Sequence, residues 1–156
     1  DNLNSRGSSR CSAFWDTTGR AADYLRASRE EGSERIQAMI DLLDITGDSR
    51  ILDIGAGPGT LAIPLSSKAG HITAVEPAAP MVALLKEESR RIGAANITVI
   101  EKHWEDVTSE DITAPFDLVI AAYSLGMLDL KGAIIKMQEV CCDTVYIFFS
   151  AGRSFW

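Results

Sequence analysis

Three glycines at alternate positions, Gly55, Gly57 and Gly59, interrupt an otherwise apolar run. Before them, Ile51, Leu52 and Ile54 read as a buried strand; after them, Leu61, Ile63 and Leu65 begin an apolar helix face. A strand that breaks into glycines and re-enters as a helix predicts a nucleotide-binding turn. Glycine is needed there because it takes backbone angles closed to other residues and leaves no Cβ between backbone and ligand. Dinucleotide folds use G-x-G-x-x-G, whereas here Gly59 follows Gly57 after two residues and the pattern is G-x-G-x-G. Asp53 stands two residues before the first glycine. A carboxylate so close to a pyrophosphate would repel it, but suits a cationic ligand.

This hhDhGxGxG stretch resembles motif I of the class I S-adenosylmethionine-dependent methyltransferases. Their cofactor carries an ammonium group and a sulfonium and no phosphate, so the sign of Asp53 agrees with the resemblance. The resemblance covers roughly Arg50 to Phe149. It implies S-adenosyl-L-methionine as cofactor and no metal.

Strands and helices alternate along the chain. Strands are expected at Ile51–Ile54, His71–Val75, Ile97–Ile100, Phe116–Ala121 and Thr144–Phe149. Between them come a helix over Leu61–Ser67, a long one from Met81 to Gly93, a short helical crossover at Thr108–Thr113, and a helix over Leu130–Val140. The expected fold is α/β, a doubly wound Rossmann-like parallel sheet of order 3-2-1-4-5 with N-terminal helices. Residues 1–12 read as a loose polar segment. Residues 13–156 read as one methyltransferase-like domain: N-terminal helices over 13–46 and the cofactor-binding core over 47–156. The family fold continues with a sixth and an antiparallel seventh strand. These lie beyond Trp156, so the resemblance implies a missing C-terminal segment or a partner subunit that completes the acceptor pocket.

In an open parallel sheet, ligands bind beyond the carboxyl ends of the strands, where the chain order reverses. Glu76 closes the second strand about twenty residues past the glycines, and can accept two hydrogen bonds from ribose hydroxyls. This is the place of the family's second motif. Pro77 and Ala78 follow it, placed to pack on one face of an adenine. After the third strand, the family's adenine-binding acid falls on His103 by alignment, with Trp104 next to it; the departure leaves Glu105 or a backbone group as substitutes. After the fourth strand, Ala121 and Ala122 would let backbone approach the methionyl amine, and Tyr123 and Ser124 would face the reacting centre. Phe14-Trp15-Asp16 and Tyr24 resemble an aromatic lid that closes over the cofactor; equally, Trp15 and Tyr24 can simply cover a sheet edge. The cofactor-binding set is therefore Asp53, Gly55, Ala56, Gly57, Gly59, Glu76, Pro77, His103, Trp104, Ala121, Tyr24 and Trp15. No catalytic base is named, because a sulfonium is an activated leaving group and the protein mainly aligns the reactants.

The acceptor is expected to be a small molecule. The loop after the fourth strand lacks the Asn/Asp-Pro-Pro-Tyr and Pro-Cys signatures of the family's base-methylating branches. The net charge of −7 also disfavours a broad hold on nucleic acid or an anionic membrane. Rival readings are an NAD(P)-binding oxidoreductase, an aminopropyl transferase and a non-catalytic cofactor-binding or partner-platform module. An odd cysteine count (Cys11, Cys141, Cys142) and no apolar signal segment or membrane span point to a cytoplasmic protein with reduced thiols. Cys141-Cys142 reads as the buried end of a helix.

Overall fold

Along Ile51-Leu52-Asp53-Ile54, successive side chains point to opposite faces of a sheet, and both faces are apolar. Such a strand needs covering on both sides, and it forms the centre of the structure. The computed structural model of the chain describes residues 14–15, 17–30 and 32–149. The remainder, including the expected loose segment, Asp16, Cys11 and the stretch after Phe149, lies outside the described residues.

The elements in chain order are α1 (Thr18–Glu30), α2 (Ser33–Asp41), β1 (Arg50–Ile54), α3 (Ala62–Leu65), β2 (His71–Val75), α4 (Ala79–Ile92), β3 (Ile97–Ile100), a 3₁₀ turn (Trp104–Asp106), β4 (Phe116–Ala122), α5 (Leu130–Val140) and β5 (Cys141–Phe148). The five strands form one sheet in the order β3-β2-β1-β4-β5, with every pair parallel. The expected doubly wound architecture is therefore the observed one. The chain reverses direction across the sheet between β1 and β4, which places the ligand cleft at the carboxyl ends of β1, β2 and β4.

One core layer joins Ile51, Ile72, Ala74, Leu118 and Ile120 to Met39, Ile40 and Leu43 at the end of α2, to Leu61, Ala62 and Leu65 around α3, and to Leu85 of α4. The other joins Leu52, Ile54, Val75, Phe116 and Val119 to Ala133 and Met137 of α5 and to Trp104 and Val107. The pleat decides which residue enters which layer. Asp53 shares the face of Ile51, and so points toward the start of α3.

Three local expectations are corrected. Thr108–Thr113 is a turn, not a helical crossover. Thr108 N–H and Oγ donate to the Asp111 carboxylate at 2.8 and 3.1 Å, and such side-chain bonds compete with helix formation. The helix after the glycines is only one turn, Ala62–Leu65. Its capping residue Ser66 spends its hydroxyl on Ile63 O at 2.7 Å. Cys141 and Cys142 open β5 instead of ending a helix; Cys142 is exposed and Cys141 pairs with Phe116 across the ladder.

The N-terminal helices are tied down at one polar point. Glu88 of α4 accepts from Arg29 of α1 and, at 2.9 and 3.1 Å, from Arg91. The Arg91 hydrogen bond is the main reason its carboxyl titrates below the usual range. The Glu88 side chain is largely covered while both arginines are half-exposed. Glu88→Ala is expected to cost about 1–2 kcal/mol, the worth of charged hydrogen bonds at a partly screened site. Hydrogen exchange should show α1 opening before the sheet does; uniform protection across α1 and the sheet would show that Arg29–Glu88 does not hold α1 down.

Candidate cofactor site

The glycine loop is built by two close approaches. Gly55 has φ +71°, and a Cβ placed on it would lie 2.2 Å from the Cβ of Ser124. Ser124 is held there because its hydroxyl donates to Ile54 O at 2.7 Å. The amides of Gly55 and Ala56 both donate to Val75 O, at 2.8 and 3.1 Å, which folds the loop back across the end of β2. Gly57 differs: its φ is +56°, and a Cβ there would meet nothing within 4 Å. Gly55 thus serves the fold, whereas Gly57 leaves backbone facing open space. At Gly59 the close neighbour would be Ile63, so that glycine serves the packing of α3.

This contrast gives a testable pair. Gly55→Ala forces a left-handed alanine into Ser124 and is expected to cost roughly 3 kcal/mol or more. Gly57→Ala is expected to cost about 1 kcal/mol, the strain of the backbone angle alone, while blocking any ligand laid against the loop. Thermal denaturation and ligand titration of the two variants separate these roles. Equal destabilisation by both would contradict the assignment.

Two carboxylates flank the loop, both almost fully buried. Glu76 Oε2 accepts from Gly57 N–H and Oε1 from Ala78 N–H, each at 2.9 Å. The acid thus fixes the glycine loop and the turn into α4 at once. Asp53 is fully enclosed, and its Oδ2 has no hydrogen-bond partner among the described residues. Burial, and then the neighbouring charge of Glu76, push its carboxyl up to about 7 from 3.8, opposed by the Ala62 amide. Thr60 Oγ is a second buried polar atom there without a partner. Buried polar groups left unpaired are costly and uncommon in folded proteins. Here they flank the glycines in sequence, and a carboxylate so placed suits a positively charged nucleoside.

The remaining expected residues divide. Trp15 and Tyr24 meet edge to face at 5.2 Å and pack with Ala21 on Ala78, Met81 and Leu84 at the start of α4, directly beyond Glu76. Pro77 is half-buried there, and His103 is half-buried before the 3₁₀ turn. Two of the side chains are turned into the protein. Ala78 is fully buried under the aromatic pair, so its side chain offers no face to an adenine. The Trp104 ring lies in the core with its indole N–H on Ala133 O at 3.1 Å, and Lys136 Nζ stacks over it at 4.3 Å. Only the backbone of Trp104 remains for a ligand. Ala121 likewise turns its methyl into the core, leaving its backbone at the strand end. Ser124 was placed at the reacting centre by sequence; its load here is to wedge the loop. No spacing pattern marks such a contact. Among the described residues no group of three or more potential metal ligands is found, and no helix is long and apolar enough to cross a membrane.

A family model described as a methyltransferase domain matches residues 51–143, more than half of the chain. The chain belongs to that family. Its parallel 3-2-1-4-5 sheet and its G-x-G-x-G loop are those of the class I S-adenosylmethionine-dependent methyltransferases. An uncharacterised protein of Haemophilus influenzae is 30% identical over 119 residues, covering 76% of this chain and 44% of that protein. The ribosomal RNA small subunit methyltransferase A of Magnetococcus marinus is 41% identical over 76 residues, 49% of this chain and 25% of that one. The chain therefore spans less than half the length of these relatives. Among solved structures, a coclaurine N-methyltransferase bound to N-methylheliamine and S-adenosylhomocysteine superposes with a TM-score of 0.64 at 18% identity. That superposition covers 73% of this methyltransferase domain and 34% of the other chain.

Proposed function

We propose that this methyltransferase domain binds S-adenosylmethionine across the carboxyl ends of β1, β2 and β4 and presents its methyl group to a small-molecule acceptor. One observation carries the reading: two buried carboxylates, Asp53 and Glu76, border a Gly57 whose backbone faces open space. The cofactor, when bound, supplies a methyl group on a sulfonium, already activated toward displacement. The chain's own residues bind and orient. Glu76, anchored by the Gly57 and Ala78 amides, accepts from the ribose hydroxyls. Asp53, whose Oδ2 lacks a partner, offsets the cofactor's positive charge. The Gly55–Gly59 backbone takes the methionyl portion. Trp15 and Tyr24, seated on the start of α4, shield the nucleoside side from water.

The small-molecule acceptor is favoured by the acidic balance of the chain and by a β4 loop without a base-methylating signature. An RNA acceptor is the second reading, favoured by the identity to the small subunit rRNA methyltransferase. The test compares thermal shifts with S-adenosylhomocysteine and with NADH. Stabilisation by the first alone is expected; stabilisation by NADH would favour the oxidoreductase reading. Radiolabelled methyl transfer to a small-molecule panel against ribosomal RNA then separates the acceptors. Cofactor binding without turnover on either would favour a non-catalytic module.

A further inference from the structure

The loop after β4 holds a feature that the cofactor reading leaves unused. Tyr123 has φ +56°, the one non-glycine residue with positive φ among those described. Such a conformation is strained and persists only where the surroundings enforce it, often at ligand clamps. Here its N–H donates to Phe148 O at 2.9 Å, and the next residue is Ser124, wedged against Gly55. The ring is thereby directed outward beside the glycine loop and stays 45% exposed. It does not stand alone. The guanidinium of Arg35, in the first turn of α2, lies 5.2 Å from its centroid.

Arg35 has neither an ion pair nor a hydrogen bond among the described residues, although the chain carries 22 acidic residues. A cation–π contact spends none of a guanidinium's N–H donors, and their fork matches the two oxygens of a carboxylate or phosphate. The pair also lies on the β4 side of the glycine loop, away from Glu76 on the β2 side. The ribose acid and the cation thus stand on opposite flanks of one cleft. We infer that Arg35, held over Tyr123, is an anion-binding residue at this flank and receives a carboxylate or phosphate of the molecule in the cleft. The inference rests on the cofactor site proposed above. The anion has two sources: the amino-acid carboxylate of the cofactor, or an acidic group on the acceptor.

The experiment follows the Nε–H resonance of Arg35 by NMR, assigned by its loss in Arg35→Lys. The wild-type chain is titrated with S-adenosylhomocysteine, with 5′-methylthioadenosine (a similar thionucleoside without the carboxylate), and with inorganic phosphate before and after S-adenosylhomocysteine. A shift with S-adenosylhomocysteine but not methylthioadenosine assigns the cofactor carboxylate. A shift with phosphate on the loaded protein assigns an acidic acceptor. In either case Arg35→Ala should weaken the effective ligand about tenfold with an otherwise native spectrum. Tyr123→Leu, which removes the platform and keeps the charge, should weaken it less. A resonance unmoved by all three ligands, with unchanged affinities in Arg35→Ala, overturns the inference. If S-adenosylhomocysteine fails to bind, the cofactor reading falls separately. The phosphate arm on the unloaded protein then decides Arg35 alone: a shift upholds it and no shift overturns it.

Discussion

Glu76→Gln is expected to weaken S-adenosylhomocysteine binding by about 100-fold while leaving the sheet intact. The magnitude follows from what the carboxylate does. Its two oxygens are held by the Gly57 and Ala78 amides at 2.9 Å, and the proposed site has the same oxygens accept from the ribose hydroxyls. Glutamine keeps one acceptor oxygen and replaces the other with an NH₂ group. That group would face an amide N–H and offer no acceptor to the second hydroxyl. Losing charge-assisted hydrogen bonds at a buried site costs roughly 1.5–3 kcal/mol each, the upper part of which is about 100-fold in affinity. The same substitution leaves a loop amide unpaired, so a drop of about 1–2 kcal/mol in stability should accompany it. Calorimetric titration and denaturant melts check both effects. An affinity within threefold of wild type would place the ribose elsewhere.

Asp53→Asn is expected to move stability and binding in opposite directions. Burial and the nearby Glu76 raise the Asp53 carboxyl to about 7 in the folded chain, against 3.8 when exposed. The folded state therefore holds this proton more tightly than the unfolded state. Its contribution to stability is complete below about pH 4, declines as pH rises, and is lost above about pH 7. Over that window the unliganded protein should lose on the order of 4 kcal/mol through this group. Asparagine carries no charge to bury, so the variant should lack this decline and be the more stable protein at pH 8. It also lacks the charge that would face the ligand's ammonium group, and S-adenosylhomocysteine should bind at least tenfold more weakly. Melting curves from pH 4 to 8, with and without ligand, read both. If wild type and Asp53→Asn share one pH profile, the aspartate is not a strained buried acid. A gain in stability at the expense of binding is the pattern of a site kept unsatisfied for its ligand.

Most of the fold was legible because it rests on pattern. Ile51–Ile54, His71–Val75 and Ile97–Ile100 are short apolar runs between turn residues, and Leu130–Val140 keeps helical spacing; each forms where its pattern placed it. The glycine loop was legible because the positive φ of Gly55, Gly57 and Gly59 leaves few residue types available. The failures have local physical causes. At Thr108–Asp111 the side chains bond back to the turn, which composition does not distinguish from a polar helix. Cys141 and Cys142 follow a helical run without a break, and only the ladder with Phe116 makes them strand. Trp104 stands next to a binding position, but its ring turns inward to Ala133, and the direction of a side chain at a strand end depends on what packs beneath it. Long-range contacts, such as Ser124 under Gly55 and Arg29 on Glu88, leave no mark in local sequence.

The account stands most directly on where the nucleoside lies. A crystal structure with S-adenosylhomocysteine is expected to show both ribose hydroxyls on Glu76 and the methionyl chain along Gly55–Gly59, with its amine facing Asp53. A nucleoside bound away from Glu76, or a diphosphate-bearing ligand seated on the glycine loop in its place, would contradict it.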